Sequence, residues 1–168
     1  MTLSLYDVTI PTLLRALDNL SAILAKGEAF AQSEGLDPGA LVQARLAPDM
    51  LPLAGQVQRA SDSAKGAAVR LGGVANARFE DVETSFADLY ARIDKTVAFV
   101  KSAPREAFEG KEDAEVILPT PSGDRRFTGR AYALQFVLPN VFFHVTTAYD
   151  ILRHKGVPLG KLDYLGRD

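Results

Sequence analysis

The chain has no cysteine among its 168 residues, which excludes disulfide staples, thiolate metal sites and a protein-borne thiol nucleophile. That absence fits a reducing compartment. Histidine is scarce too: His144 and His154 are the only two. A helical separation of ten residues puts them about 15 Å apart along an axis, too far to share one ion. Net charge is small, −2 with a pI of about 5.7, and Arg125, Arg126 and Arg130 form the one local basic knot. A phosphate backbone calls for a larger basic footprint, so no nucleic-acid partner is expected. There is no glycine-rich phosphate loop, serine elbow or paired-carboxylate helix motif. The most apolar segment, residues 131–148, is broken by Gln135, Pro139, Asn140 and His144. No run of roughly 20 apolar residues suggests a membrane span. Residues 1–6 lack the positive-then-apolar pattern of a secretory leader, and a cytoplasmic protein without a membrane partner is expected.

What is present suffices for one core. With 47% hydrophobic and 24% charged residues, a chain of this length folds as a single domain over 1–168 without staples. Apolar residues recur at helical spacing four times. The first stripe is Leu3, Tyr6, Ile10, Leu13, Leu17, Leu20 and Leu24. Pro11 places either a kink or a helix start there, and residues 33–39 end the helix. Asp49 is expected to cap a second helix, with Pro52 in its first turn. Its stripe is Met50, Leu53, Val57, Ala60, Ala64, Ala67 and Leu71, small enough in its lower half for another helix to approach closely. Gly72 and Gly73 stop it.

Ser85 and Asp88 make a capping-box start for a third helix, with Phe86, Leu89, Ile93, Val97 and Val100 on its buried line and Pro104 at its close. Val116 and Leu118, then Phe127, flank a Pro-Thr-Pro-Ser-Gly-Asp turn and predict a small hairpin. The fourth helix runs over 129–155, carrying Leu134, Leu138, Val141, Val145, Ala148 and Leu152, and Gly156 and Pro158 terminate it. This order predicts an all-α protein, an antiparallel four-helix bundle with a small β-hairpin before its fourth helix.

His144 steps with Val137, Val141, Ala148 and Ile151, so it points inward or to a seam between helices. Two readings stay open: a core histidine hydrogen-bonded to a neighbouring helix, or a metal ligand or general base. Pro139 and Asn140 lie one turn earlier. Pro139 frees the carbonyl of Gln135, and the resulting kink either opens a cavity or bends the helix around the core. On the second helix Gln58, Asp62 and Lys65 flank the stripe. Asp62 either charge-pairs His144 or forms a solvated pair with Lys65. Tyr149 and Arg153, four apart, either line a groove near the same seam or sit at its rim.

The run Leu138-Pro139-Asn140-Val141-Phe142-Phe143-His144 continues through Ala148-Tyr149-Asp150-Ile151-Leu152-Arg153 to Gly156 and Gly160-Lys161-Leu162-Asp163. Over essentially the full chain this pattern resembles the DinB/YfiT-like superfamily of bacterial bundles, in a branch known only as a domain of unknown function. The resemblance implies a homodimer and an up-down-down-up order with a long crossover between the second and third helices. In its metal-binding members a histidine on the second helix joins two histidines four apart on the fourth, holding nickel or zinc. His144 matches the first of that pair, the second falls on Ala148, and the second helix has no histidine. Asp62 is the nominated substitute ligand.

Three functions follow as expectations. The first is a small-molecule site at His144, with Asp62, Gln58, Asn140, Tyr149 and Arg153 around it and the metal triad incomplete. The second is a divalent-metal-dependent hydrolase or thiol transferase on His144 and Asp62. The third is a non-catalytic protein whose seams serve folding and dimerisation.

Overall fold

The computed structural model describes residues 3–166. It is mostly helical. Four long helices, α1 (Leu5–Ser33), α3 (Leu53–Arg70), α4 (Phe86–Lys101) and α6 (Leu138–His154), surround one core. Short elements complete it: α2 (Pro38–Val42), a 3-10 turn (Arg105–Phe108), strands β1 (Glu115–Leu118) and β2 (Arg125–Thr128), α5 (Gly129–Ala131), a π-helical segment (Tyr132–Val137) and α7 (Lys161–Leu165).

The ends of these helices show why they form where they do. Ser4 and Asp7 cap α1 reciprocally, so the helix starts at Leu5 and leaves Leu3, the first residue of the predicted stripe, outside it and exposed. Pro11 lies inside α1 rather than at its start. The Ser85–Asp88 capping box is present as the sequence implies. Asp49 does not cap α3. Pro52 holds extended backbone (φ −67°, ψ 172°) in the cap position, and the helix begins only after it. After α1, Asp37 accepts from the Gly39 N–H and caps the one-turn α2.

Side-chain contacts fix the helix directions. Gln56 meets His144, and Arg70 meets Tyr132, so α3 and the α6 arm run antiparallel. Tyr90 donates to Glu28, and Arg105 pairs with Asp7, so α1 and the α4 arm run antiparallel. Ser61 meets Thr96, and Gly72 lies against Ala103, so α3 and α4 run the same way. Parallel neighbours in sequence need a long return, and residues 72–84 supply it without regular structure. Ala60, Ala64, Ala67 and Ala68 of α3 are all fully buried; the small-residue face therefore packs inside the domain. By length and composition α1 is apolar enough to cross a membrane, against the expectation that no segment is. Its apolar residues Leu13, Leu17, Leu20, Ile23 and Leu24 are fully buried and belong to the core. At the far end α7 folds back on α1, where Asn19 donates to the Tyr164 carbonyl and Lys26 pairs with Asp163.

The crossover is held by one arginine. The Arg92 side chain, 2% exposed, pairs with Asp62 at 3.0 Å, Asp81 at 2.9 Å and Glu83 at 3.0 Å. It also donates to the Glu80 carbonyl and the Ser61 hydroxyl. Gln58 adds a bond from its amide to Glu83, and Arg59 pairs with Asp81. A buried guanidinium is tolerated only when its donors are taken up in this way.

Removing the arginine leaves the carboxylates behind. Asp62 and Asp81 are 34% and 42% exposed and can rehydrate, whereas Glu83 at 8% cannot. Arg92→Ala is therefore expected to cost about 3 kcal/mol, the low end for a broken buried pair. Urea denaturation reads this, and wild-type stability would contradict the network. Arg126→Ala, which removes a surface pair with Glu115, should leave the midpoint unmoved.

Candidate functional site

The fourth helical arm bends where its sequence forbids a regular turn. Pro139 has no N–H, and its ring crowds the carbonyl four residues back, at Gln135. The chain answers with a π turn over Tyr132–Val137, immediately before the proline. The side-chain amide of Asn140 then donates to the Phe136 carbonyl at 2.6 Å.

One turn beyond, His144 faces α3. Gln56, 2% exposed on α3, donates its amide N–H to the Leu51 carbonyl at 3.0 Å. Its amide orientation is thereby fixed, and its Oε1 is left to accept from His144 Nδ1 at 2.8 Å. The proton must sit on Nδ1, so Nε2 is the acceptor nitrogen. Among the described residues no bond to Nε2 is formed, and no buried side-chain nitrogen or oxygen lacks a partner. Nε2 is therefore open. Burial, and then the charge of Arg59, push the His144 pKa down to about 4, so the imidazole is neutral near pH 7.

His144 opens on a cleft of about 770 Å³ between α3, the π segment and the crossover. Tyr132, Phe136 and Asn140 form one wall, Arg59, Asp62, Lys65, Gly66 and Arg70 another, and residues 76–79 the third. Leu118 and Pro119 bring the hairpin to its rim. Gly66 is where the helix yields space. A Cβ there would stand 2.9 Å from both Arg70 Nη1 and the Tyr132 hydroxyl. Glycine inside a helix costs about 0.5–1 kcal/mol relative to alanine, and here it lets Arg70 lie over the Tyr132 ring, 5.7 Å from its centroid, and donate to the hydroxyl at 3.2 Å. Burial raises the Tyr132 pKa and keeps the phenol protonated. Burial likewise lowers that of Lys65, whose ammonium donates to the Ala77 carbonyl and stands 4.7 Å from the Phe79 ring centroid.

The predicted site residues are only partly brought together. His144, Asp62 and Asn140 line this cleft. Asp62 is not the partner of His144, however, because its oxygens are taken by Arg92 and, at 3.2 Å, by Arg59. Nor does it pair with Lys65: the ammonium is turned to the crossover. Gln58 is bound to Glu83 outside the cleft. Tyr149 and Arg153 hold the turn after α6, donating to the carbonyls of Leu159 and Val157. Gln56, Arg70 and Tyr132 were not singled out from sequence. Gln56 offered a signal, since it falls on the buried side of the second stripe with Leu53 and Ala60.

The donors present do not fit the nickel or zinc triad that the resemblance implies. Ala148 is fully buried and carries no donor. Gln56 stands across from His144 with its amide already engaged, and Asp62 is held by two guanidiniums. Among the described residues no three His, Asp or Glu side chains come together as a metal-holding group.

Comparison with known proteins places this fold. Residues 5–165 match the model of a domain of unknown function, DUF1993, and the chain belongs to that family. It is also similar to the crystal structure of a DinB family member protein from Shewanella denitrificans. The identity is 38% and the TM-score 0.91, over 98% of this chain and 93% of that one. The protein is thus a DinB-like domain of unknown function. No curated protein matches it.

Two tests follow from the Gln56–His144 pair. The folded pKa of about 4 lies below the unfolded 6.5, so the unfolded chain takes up this proton first. The His144 contribution to stability is complete above pH 6.5 and is lost as pH falls toward 4. Urea midpoints at pH 7 and pH 4.5 should fall less in His144→Gln than in the wild type; equal falls would rule the contribution out. Gln56→Glu sets a carboxylate on Nδ1 and should raise the His144 pKa by about 1–3. NMR titration of the imidazole reads this, and an unmoved pKa would show that Gln56 does not face Nδ1.

Proposed function

We propose that this chain is a small-molecule-binding member of the DinB-like family, recognising its ligand through the neutral imidazole of His144 and not through a histidine-held metal. One observation carries the reading: Gln56 fixes the Nδ1–H tautomer and leaves Nε2 as an open acceptor on a cleft of about 770 Å³. That volume lies within the range of small-molecule pockets, roughly 300–1,000 Å³. With its pKa held to about 4, His144 accepts a hydrogen bond from a bound hydroxyl or amide but is a weak base at neutral pH. A general base works best with a pKa near the operating pH. Binding is therefore favoured over proton abstraction.

The same reading takes the four long helices as the up-down-down-up bundle. The antiparallel α3–α6 and α1–α4 pairings and the parallel α3–α4 pair support it. A homodimer is part of the proposal, supported by the exposed apolar residues Leu134, Phe142 and Phe143 on one arm, surface that protein contacts commonly cover. A cytoplasmic location is supported by the cysteine-free composition.

The test uses protein purified without a nickel column or chelator. A set of neutral, uncharged fragments, followed by amide NMR, should shift His144, Asn140 and Gly66 together, and His144→Phe should abolish those shifts. Elemental analysis should find well under one transition metal per chain. One tightly held metal per chain, lost in His144→Ala, would overturn the proposal, as would fragments that bind only elsewhere.

A further inference from the structure

The charges around the cleft do not balance. Its lining carries Arg59, Lys65, Arg70 and Arg78 against one carboxylate, Asp62. Asp62 is itself neutralised by Arg92 and Arg59, while Arg59 and Arg78 reach Asp81 and Glu80 on the crossover. Lys65 and Arg70 are different. Among the described residues neither makes an ion pair, although both are half-buried. Asp62 and Asp81 act on Lys65 only from beyond ion-pair distance, and a bound anion would offset the hydration that Lys65 and Arg70 have lost.

Arg70 is also positioned. The missing Cβ of Gly66 and the Tyr132 ring hold its guanidinium against the cleft wall. Among the described residues only one of its five N–H donors is used, the one directed at the Tyr132 oxygen. That oxygen accepts from Arg70, and the Tyr132 side chain, 1% exposed, lies beneath the guanidinium and orients it. A planar guanidinium fork and an ammonium lining one cleft match the oxygens of a carboxylate or phosphate.

Resting on the small-molecule reading above, we infer that the ligand of this cleft is an anion, a carboxylate or phosphate whose charged group sits on Arg70, which Tyr132 orients, with Lys65 lining the same cleft. The rest of the ligand extends toward Asn140 and His144. His144 Nε2, an acceptor only, would be repelled by the oxyanion and suits a hydroxyl or amide further along the molecule. The cleft thus reads two ends of a ligand by opposite polarity.

Sodium succinate and inorganic phosphate, each titrated into the full chain against sodium chloride of matched ionic strength, provide the test. Saturable shifts of the Arg70 Nε–H and the Gly66 amide are expected from at least one. Succinate alone would assign a carboxylate and phosphate alone a phosphate; a response to both would leave the shared chemistry assigned. Arg70→Gln should weaken the response at least tenfold, while Lys155→Gln, an equal loss of charge at the far end of α6, should leave it unchanged. Arg70→Lys keeps the inference testable if Arg70→Gln does not fold, because it keeps the charge and removes the planar fork, and affinity should fall. No saturable response to either anion, or equal responses in Arg70→Gln and wild type, would overturn the anion assignment. Neutral fragments still gathering at His144 would then leave the small-molecule reading standing. Their failure as well would remove both.

Discussion

The guanidinium of Arg92 is the interaction on which the architecture turns. Two helices adjacent in sequence, α3 and α4, run in the same direction, so a chain of thirteen residues, 72–84, must travel back along the domain with no ladder of its own. Irregular backbone is tolerated where side chains supply its partners. Arg92 does so from the interior, gathering carboxylates from α3 and from the crossover and the carbonyl of Glu80. Residues 76–79 of that crossover are one wall of the His144 cleft. The site thus depends on a charge cluster lying on its far side.

The same cluster decides the chemistry open to Asp62. A carboxylate shared between Arg92 and Arg59 has its lone pairs engaged by positive groups, and withdrawing it toward an ion beside His144 would take the Asp62 partner from Nη2 of a guanidinium that is 2% exposed. His144 is correspondingly given an amide partner. An amide sets a tautomer without changing charge, whereas a carboxylate would stabilise the imidazolium. Gln56 therefore makes the histidine a fixed dipole, suited to recognition.

Much of the helical framework was legible because burial and spacing coincide. Leu13, Leu17, Leu20 and Leu24 on α1, and Phe86, Leu89, Ile93 and Val100 on α4, were read from periodicity and are buried. Ser85 with Asp88 marked a start, and Pro139 marked a break. Polar residues set among apolar ones were passed over. Gln56 and Arg92 occupy buried positions of their helices, and a polar residue in a buried stripe announces a partner without saying which element provides it. Asp62 illustrates the other failure. Helical spacing gives the face a side chain occupies, and that face borders both α4 and the cleft; only the crossover carboxylates and Arg92 show which way it is drawn. Asp49 was misread because capping chemistry alone does not locate a helix start when proline follows three residues later.

The π turn has a geometric consequence for the cleft. At 3.6 residues per turn, residues twelve apart on a regular helix lie about 120° out of phase, so Tyr132 and His144 would belong to different faces. A wide turn absorbs one extra residue, which is equivalent to a separation of eleven and leaves about 20° between them. The segment Tyr132–Val137 therefore acts as a phase corrector, turning the Tyr132–Arg70 end of the cleft onto the side occupied by His144. Pro139 stabilises that correction by opposing the regular hydrogen bond that would erase it. Shortening the segment by one residue would make a better helix and divide the cleft between two faces of it.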